Sequence, residues 1–251
     1  MKRIITVLIL ARLLACLVGC SKQDAVLDET KTYEITSEIH SLDIQINAAD
    51  FKIVSADEFS VESNLKYLSV SEKDGVLTIV DEAKSNSNYI DPILTLYVPN
   101  DTVFDDVDIE TGAAKMTVDT LSASSVELKL GAGDVRFESL HASAEVDIEG
   151  GAGKITIVDG TLNNITLEMG MGELNLTAAV LGDSDLKFGV GASNVTLIGS
   201  KDDYKVDIEK GLGSITVDGE TVTDYSSSGN GQNHIEIEGG VGAINLNFKE
   251  E

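Results

Sequence analysis

The groups with most capacity for chemistry in this sequence are its carboxylates, since Asp and Glu number 43 against 18 Lys and Arg. Ten of them recur at related positions: Asp108 and Glu110, Glu127, Asp147 and Glu149, Glu168, Asp207 and Glu209, and Glu236 and Glu238. Residues two apart share one face of a strand, so each such pair sets its acids side by side. Carboxylates in that arrangement can ligate a divalent cation, trade protons as a general acid and base, or stand as a solvated surface. The partners that catalysis would need are not beside them. His40, His141 and His234 fall far apart and form no H-x-x-x-H pair, so no zinc site is expected. No D-x-[DN]-x-[DN]-G calcium loop and no G-x-S-x-G elbow occurs, and the Gly pairs do not open helices, so they are not phosphate cradles. The expectation is a non-enzyme with no cofactor and no resident metal. The acidic residues form a solvated or binding face, with weak divalent-cation binding as the sharper alternative.

What must position these acids is a repeat. Val126 to Phe137 reads VELKLGAGDVRF, and copies begin at Val107, Val146, Ile165, Leu186, Val206 and Ile235. A worn copy, LDIQINAADFKI, starts at Leu42. The first corner residue falls at 112, 131, 151, 170, 191, 211 and 240, in steps of 19, 20, 19, 21, 20 and 29 residues. A period this regular means stacked units that contact mainly their neighbours. Each unit has an alternating run, a G-x-G-like corner, a second alternating run and a loose polar return of about eight residues. With 23 Gly, 2 Pro and no Trp, the composition supplies corners and strand formers. The predicted fold is all-β: a single-domain parallel β-solenoid of ~20-residue coils, some ten coils at ~4.8 Å each, or a rod roughly 50 Å long. Val126, Leu128, Leu130, Val135 and Phe137 are predicted to face inward. An antiparallel sandwich is the alternative. Residues 33–105 read as diverged coils of the same domain, and the polar segment 219–233 as an exposed loop.

In register, the first outward row is Asp108, Glu127, Asp147, Thr166, Lys187, Asp207, Glu236, and the second is Glu110, Lys129, Glu149, Glu168, Gly189, Glu209, Glu238. Like charges directly opposite on a sheet cost a few tenths to about 1 kcal/mol each, relieved in part by Lys129 and Lys187. A third row, Thr117, Arg136, Thr156, Asn175, Thr196, Thr216, Asn245, could hydrogen-bond along the ladder. Arg136 and the Asn residues spoil it as a strict ice-binding array.

The start of the chain carries an address. Lys2 and Arg3 precede an apolar run from Ile4 to Leu17, broken by Arg12, and Leu17-Val18-Gly19-Cys20 resembles the bacterial lipobox. Residues 1–19 are read as a lipoprotein signal peptide, Cys20 as the lipidated residue within a polar tether over 20–32, and 33–251 as the repeat domain. Cleavage removes Cys16, so the mature domain has no internal disulfide. It also removes Lys2, Arg3 and Arg12, leaving 43 acids against 15 bases. That balance argues against nucleic acid as a partner and against lying flat on an anionic membrane. The expected location is extracytoplasmic, anchored by lipid to the bacterial membrane, on the cell surface or the periplasmic face.

Lipobox, tether and repeated φxφxφGxGxφxφ units together resemble the bacterial DUF4097 family of adhesin candidates, over roughly residues 35–248. The resemblance implies a β-solenoid at the cell surface or envelope, with roles in adhesion or envelope stress, and supplies no catalytic residues. The expected function is therefore an adhesin-like or scaffolding module whose envelope or extracellular partner, protein or glycan, the residues do not name. The runner-up is an accessory to an envelope stress sensor acting on a membrane partner. A polysaccharide-acting β-helix enzyme comes third, because the basic residues it would need are scattered.

Overall fold

The computed structural model describes residues 27–84, 89–209, 211–227 and 231–250; the leader, Cys20 and the first part of the tether lie outside the described residues. Strands β1 (Leu27–Glu34), β2 (Ser41–Ala56), β3 (Ser60–Leu65), β4 (Leu68–Lys73), β5 (Val76–Asp81), β6 (Ile93–Pro99), β7 (Phe104–Ile157), β8 (Gly160–Asn163), β9 (Ile165–Leu181), β10 (Asp183–Ile198), β11 (Tyr204–Glu209), β12 (Leu212–Val217), β13 (Glu220–Val222), β14 (Tyr225–Ser226) and β15 (Asn233–Lys249) form one 15-stranded sheet. β7 runs for 54 residues because its ladder continues around the glycine corners.

Successive repeats pair in parallel, in register, with corner on corner. Val146 lies against Ile165, Gly153 against Gly172, and Gly172 against Gly191. These parallel ladders exclude the antiparallel sandwich. Alternation sends every second side chain inward. Val126, Leu128, Leu130, Val135 and Phe137 are all 7% exposed or less. The expected loose return is instead a third strand run, whose inward residues Leu121, Ala123, Leu140, Ala142, Leu162, Ala178 and Val180 are buried. Its copies also pair in parallel, as Leu140 with Gly160 and Thr161 with Ala179.

The layer at 184–195 corrects the repeat phase. Gly191 pairs with Gly172 and Gly242, so the first corner residue of that layer is Gly189, not Gly191. The cause is Ser184, buried at a position that is aliphatic in every other copy. Matching by hydrophobicity therefore slides the frame by two residues, which leaves the inward and outward faces unchanged. Ser184 Oγ accepts the Ile165 N–H at 3.2 Å, which satisfies its buried hydroxyl.

Stacking order also departs from sequence order. β15 pairs with β10 on one side and with β11 and β12 on the other, so the last repeat is threaded between the two that precede it. The helical turn Lys201–Asp203, closed by a Ser200–Asp203 capping box, lifts the chain past the height of this layer. Tyr204, 1% exposed, donates its hydroxyl to the Ile198 carbonyl at 2.5 Å, and Asn233 donates to the Asp203 carbonyl at 3.2 Å. At the other end, part of the segment expected as diverged coils, residues 57–103, does not repeat the stacked unit. β5 and β6 together form one parallel layer against β2, and β4 and β3 close it antiparallel, with β1 outside β3. The segment expected as an exposed loop at 219–233 likewise supplies β13 and β14, antiparallel on β12 and β11. Both ends of the stack are thus covered by strands of reversed direction, which limits further pairing.

The corners explain why Gly is required. A Cβ on Gly191 would lie 1.6 Å from the Gly172 carbonyl oxygen, whereas one on Gly219 would meet nothing within 4 Å. Both have positive φ, at +148° and +82°, so Ala is strained at each, by about 1–3 kcal/mol. Gly191→Ala adds a backbone collision that only separation of the layers relieves. Thermal unfolding should show Gly191→Ala lowering Tm by more than twice the loss caused by Gly219→Ala; equal losses would mean the layers part at no cost.

Candidate binding surface

Spatial order and corrected phase together redraw the outward rows. The first acidic column runs Asp43, Asp108, then through Glu127 to Asp147, Thr166, Asp185, Glu236 and Asp207. The second runs Gln45, Glu110, then through Lys129 to Glu149, Glu168, Lys187, Glu238 and Glu209. All ten acids singled out from the sequence fall in these two neighbouring columns. Asp185, which the slipped frame displaced in favour of Lys187, joins the first. The Gly pair at 189 and 191 was the signal that could have found it.

The first column is mostly acid against acid, whereas in the second Lys129 and Lys187 each stand between acids. Lys129 pairs with Glu127, and Lys187 lies 3.8 Å from Glu168. Partial desolvation against the sheet, and then the neighbouring Glu127 carboxylate, push the Asp108 carboxyl above its ordinary range. At the far end the balance reverses. His234 Nε2 lies 3.3 Å from Asp207 and 3.8 Å from Glu236, and its Nδ1 lies 4.0 Å from Asp183. The Ser226 hydroxyl, donated by the capping strand, and then His234 and Lys205 hold Asp207 below the usual carboxylate range. The other two histidines, His40 and His141, are not part of this group. Among the described residues, no group of three or more His, Cys, Asp or Glu is arranged to hold a metal ion.

Across the corner the surface changes character. Asp50 stands opposite Lys115 in register, Asp134 follows, and Lys154 forms an ion pair with Glu173 at 3.1 Å, so this column alternates in sign. The next carries an amide ladder that depends on the threaded layer. Thr216 Oγ1 donates to Asn245 Oδ1 at 2.7 Å, Asn245 Nδ2 to Asn194 at 2.8 Å and Asn194 Nδ2 to Asn175 at 2.8 Å. Asn175 then donates to Glu173 Oε1 at 2.7 Å. All donors point the same way and end on a carboxylate that Lys154 also binds, an arrangement in which each bond polarises the next. The ladder holds Asn194, paired with Asn175 and Asn245, in the place expected for Thr196.

The two perturbed acids give opposite pH signatures. Asp108 binds its proton more tightly in the native state, so its contribution to stability falls as pH rises through and above the ordinary carboxylate range. Asp207 is held ionised, so its contribution is full above that range and lost as pH falls. Asp108→Asn should raise Tm at about pH 7 and Asp207→Asn should lower it, each by roughly a degree or two, with both differences shrinking toward about pH 3. Thermal unfolding across that range checks the signs.

No curated protein gives a significant match. Among solved structures, an adhesin candidate from Parabacteroides distasonis aligns at 15% identity and a TM-score of 0.45, over 90% of this chain and 98% of its own. A cell-adhesion candidate from Clostridium sporogenes aligns at 16% identity and a TM-score of 0.40, over 88% and 99%. A lipid-binding candidate, also from Parabacteroides distasonis, aligns at 13% identity and a TM-score of 0.40, over 86% and 96%. The profile of the Toastrack DUF4097 family matches residues 30–247, and the chain belongs to that family.

Proposed function

We propose that the protein is a lipid-anchored envelope module that works by presenting its surface, built as a β-solenoid of stacked coils and carrying no catalytic centre. The observation that carries this reading is the surface itself. Outward residues are sorted into continuous chemical columns, acidic on one side of the corner, and charge-alternating and amide-bearing on the other. Such columns offer a partner an extended, periodic contact. The leader, with its lipobox ending at Cys20, supports an extracytoplasmic address and a membrane anchor. The excess of acids disfavours nucleic acid and the anionic membrane surface as partners, which leaves a protein or a glycan of the envelope or beyond it.

A second reading, an accessory to an envelope stress sensor, draws on the tether. β1 begins at Leu27, so only residues 21–26 separate it from Cys20. Seven residue steps span at most about 25 Å, which keeps the β1 end of the domain within reach of an integral membrane protein.

Two experiments test these readings on intact cells. Cys20→Ala should move the protein from the membrane fraction to the soluble or secreted one; retention in the membrane would overturn the anchor. A photoreactive residue at Glu168, on the acidic side, should capture a reproducible partner. An integral membrane protein would select the sensor accessory, wall polymer or added matrix would select surface binding, and no capture across the acidic columns would overturn a binding role for that face.

A further inference from the structure

The middle residue of each corner forms a column of its own, and its size changes along the stack. In the layers nearer β1 it is Ala48, Ala113, Ala132 and Ala152. In the last four layers, in spatial order, it is Met171, Val190, Val241 and Leu212, paired in register across β9, β10, β15 and β12. These four are 60, 52, 49 and 76% exposed. Four large apolar side chains at ~4.8 Å spacing make a ridge about 14 Å long. Glycine columns on both sides leave nothing at the corner to cover it: Gly172, Gly191, Gly242 and Gly213 pass so close to one another that no side chain fits. Isolated exposed apolar residues need no explanation, but an aligned and contiguous set does.

The rim indicates what the ridge meets. On the side of the first strand it is bordered by Glu168, Lys187, Glu238 and Glu209, and on the other by Glu173. A second copy of this chain would bring acids against acids, and an anionic lipid surface would do the same. We propose that the ridge Met171–Val190–Val241–Leu212 is a docking site for a basic amphipathic protein segment, one that lays an apolar stripe on the ridge and sets Lys or Arg against the flanking carboxylates. An amphipathic helix of about ten residues is ~15 Å long and matches the ridge. The site stands at the end of the stack away from β1, roughly 30–45 Å along it from β3, counting layers at ~4.8 Å. This inference rests on the binding-module reading and gives it a location and a partner chemistry.

The test uses the full lipidated chain in neutral phosphatidylcholine nanodiscs and a labelled 14-residue Leu/Lys amphipathic helix as probe, with its Leu/Glu counterpart as control. The Leu/Lys peptide should bind and the Leu/Glu peptide should not. Val190→Ser combined with Leu212→Ser, both exposed and so compatible with folding, should weaken binding at least tenfold with Tm unchanged, while Ala132→Ser should leave it intact. Three outcomes overturn the ridge: no binding of the Leu/Lys peptide, equal binding of the Leu/Glu peptide, or binding indifferent to the ridge substitutions. The last would leave a diffuse acidic attraction and so would not touch the broader reading, which fails separately if cross-linking on cells captures nothing.

Discussion

The structure depends on one close approach. At each corner, the backbone of one layer crosses the backbone of the next with less room than a methyl group requires. This lets the parallel ladder carry on past the bend, so that β7 runs as one strand through its corners. It also sets the phase of every layer, because a glycine pair can rest only on another small corner. Inward columns of Val, Ile, Leu and Phe follow from that phase, and so do the outward columns of acids and amides. Where Asn47 replaces the first corner glycine, its carbonyl still lies under Gly112, and its side chain turns aside to donate to the carbonyls of Asp81 and Ala83 at the capped end.

Much of this was legible before the structure, for physical reasons. Alternation with period two makes inward positions explicit, and the five residues predicted inside the 126–137 repeat are all buried. The ten acids fall in two columns because an alternating strand cannot place them otherwise. Legibility stopped where hydrophobicity and corner chemistry disagreed. Ser184 occupies a core column through a hydrogen bond to a backbone N–H, a local compensation that no pattern of apolar residues encodes. The frame slipped there, and Asp185 and Asn194 slipped with it. The threaded order of the final layers was hidden for a different reason. A parallel stack of equivalent strands accepts any order of its layers, and only the lengths of the connections hint at which one is used.

The surface is not uniform along the stack. Toward β1 the corner column is Ala, and the charged columns beside it hold Asp108, Glu110 and Glu127. Toward the far end the corner column grows to Met, Val and Leu, and amides replace charge on one flank. The inward columns of the stacked repeats stay almost wholly apolar, with Thr111, Ser184 and Ser193 as the buried polar exceptions among the described residues. The gradient is therefore a property of the outside alone, laid over a repeating interior that does not require it.

The threaded layer has a consequence for how the chain comes to be finished. Parallel repeats can assemble one upon another as they emerge, each resting on its predecessor. The repeat at 204–217 cannot, because the surface it rests on is β15, which follows it in the sequence. Until that strand arrives, β11 and β12 have only the short β14 and β13 for neighbours, and the exposed edge of β10 has no layer above it. The seventeen-residue β15 thus behaves as a keystone: its insertion completes two layers at once and shields the one edge that a growing parallel stack always leaves open. A nascent chain that stops short of it presents a raw β edge, whereas the finished molecule ends in strands that run the wrong way to be extended.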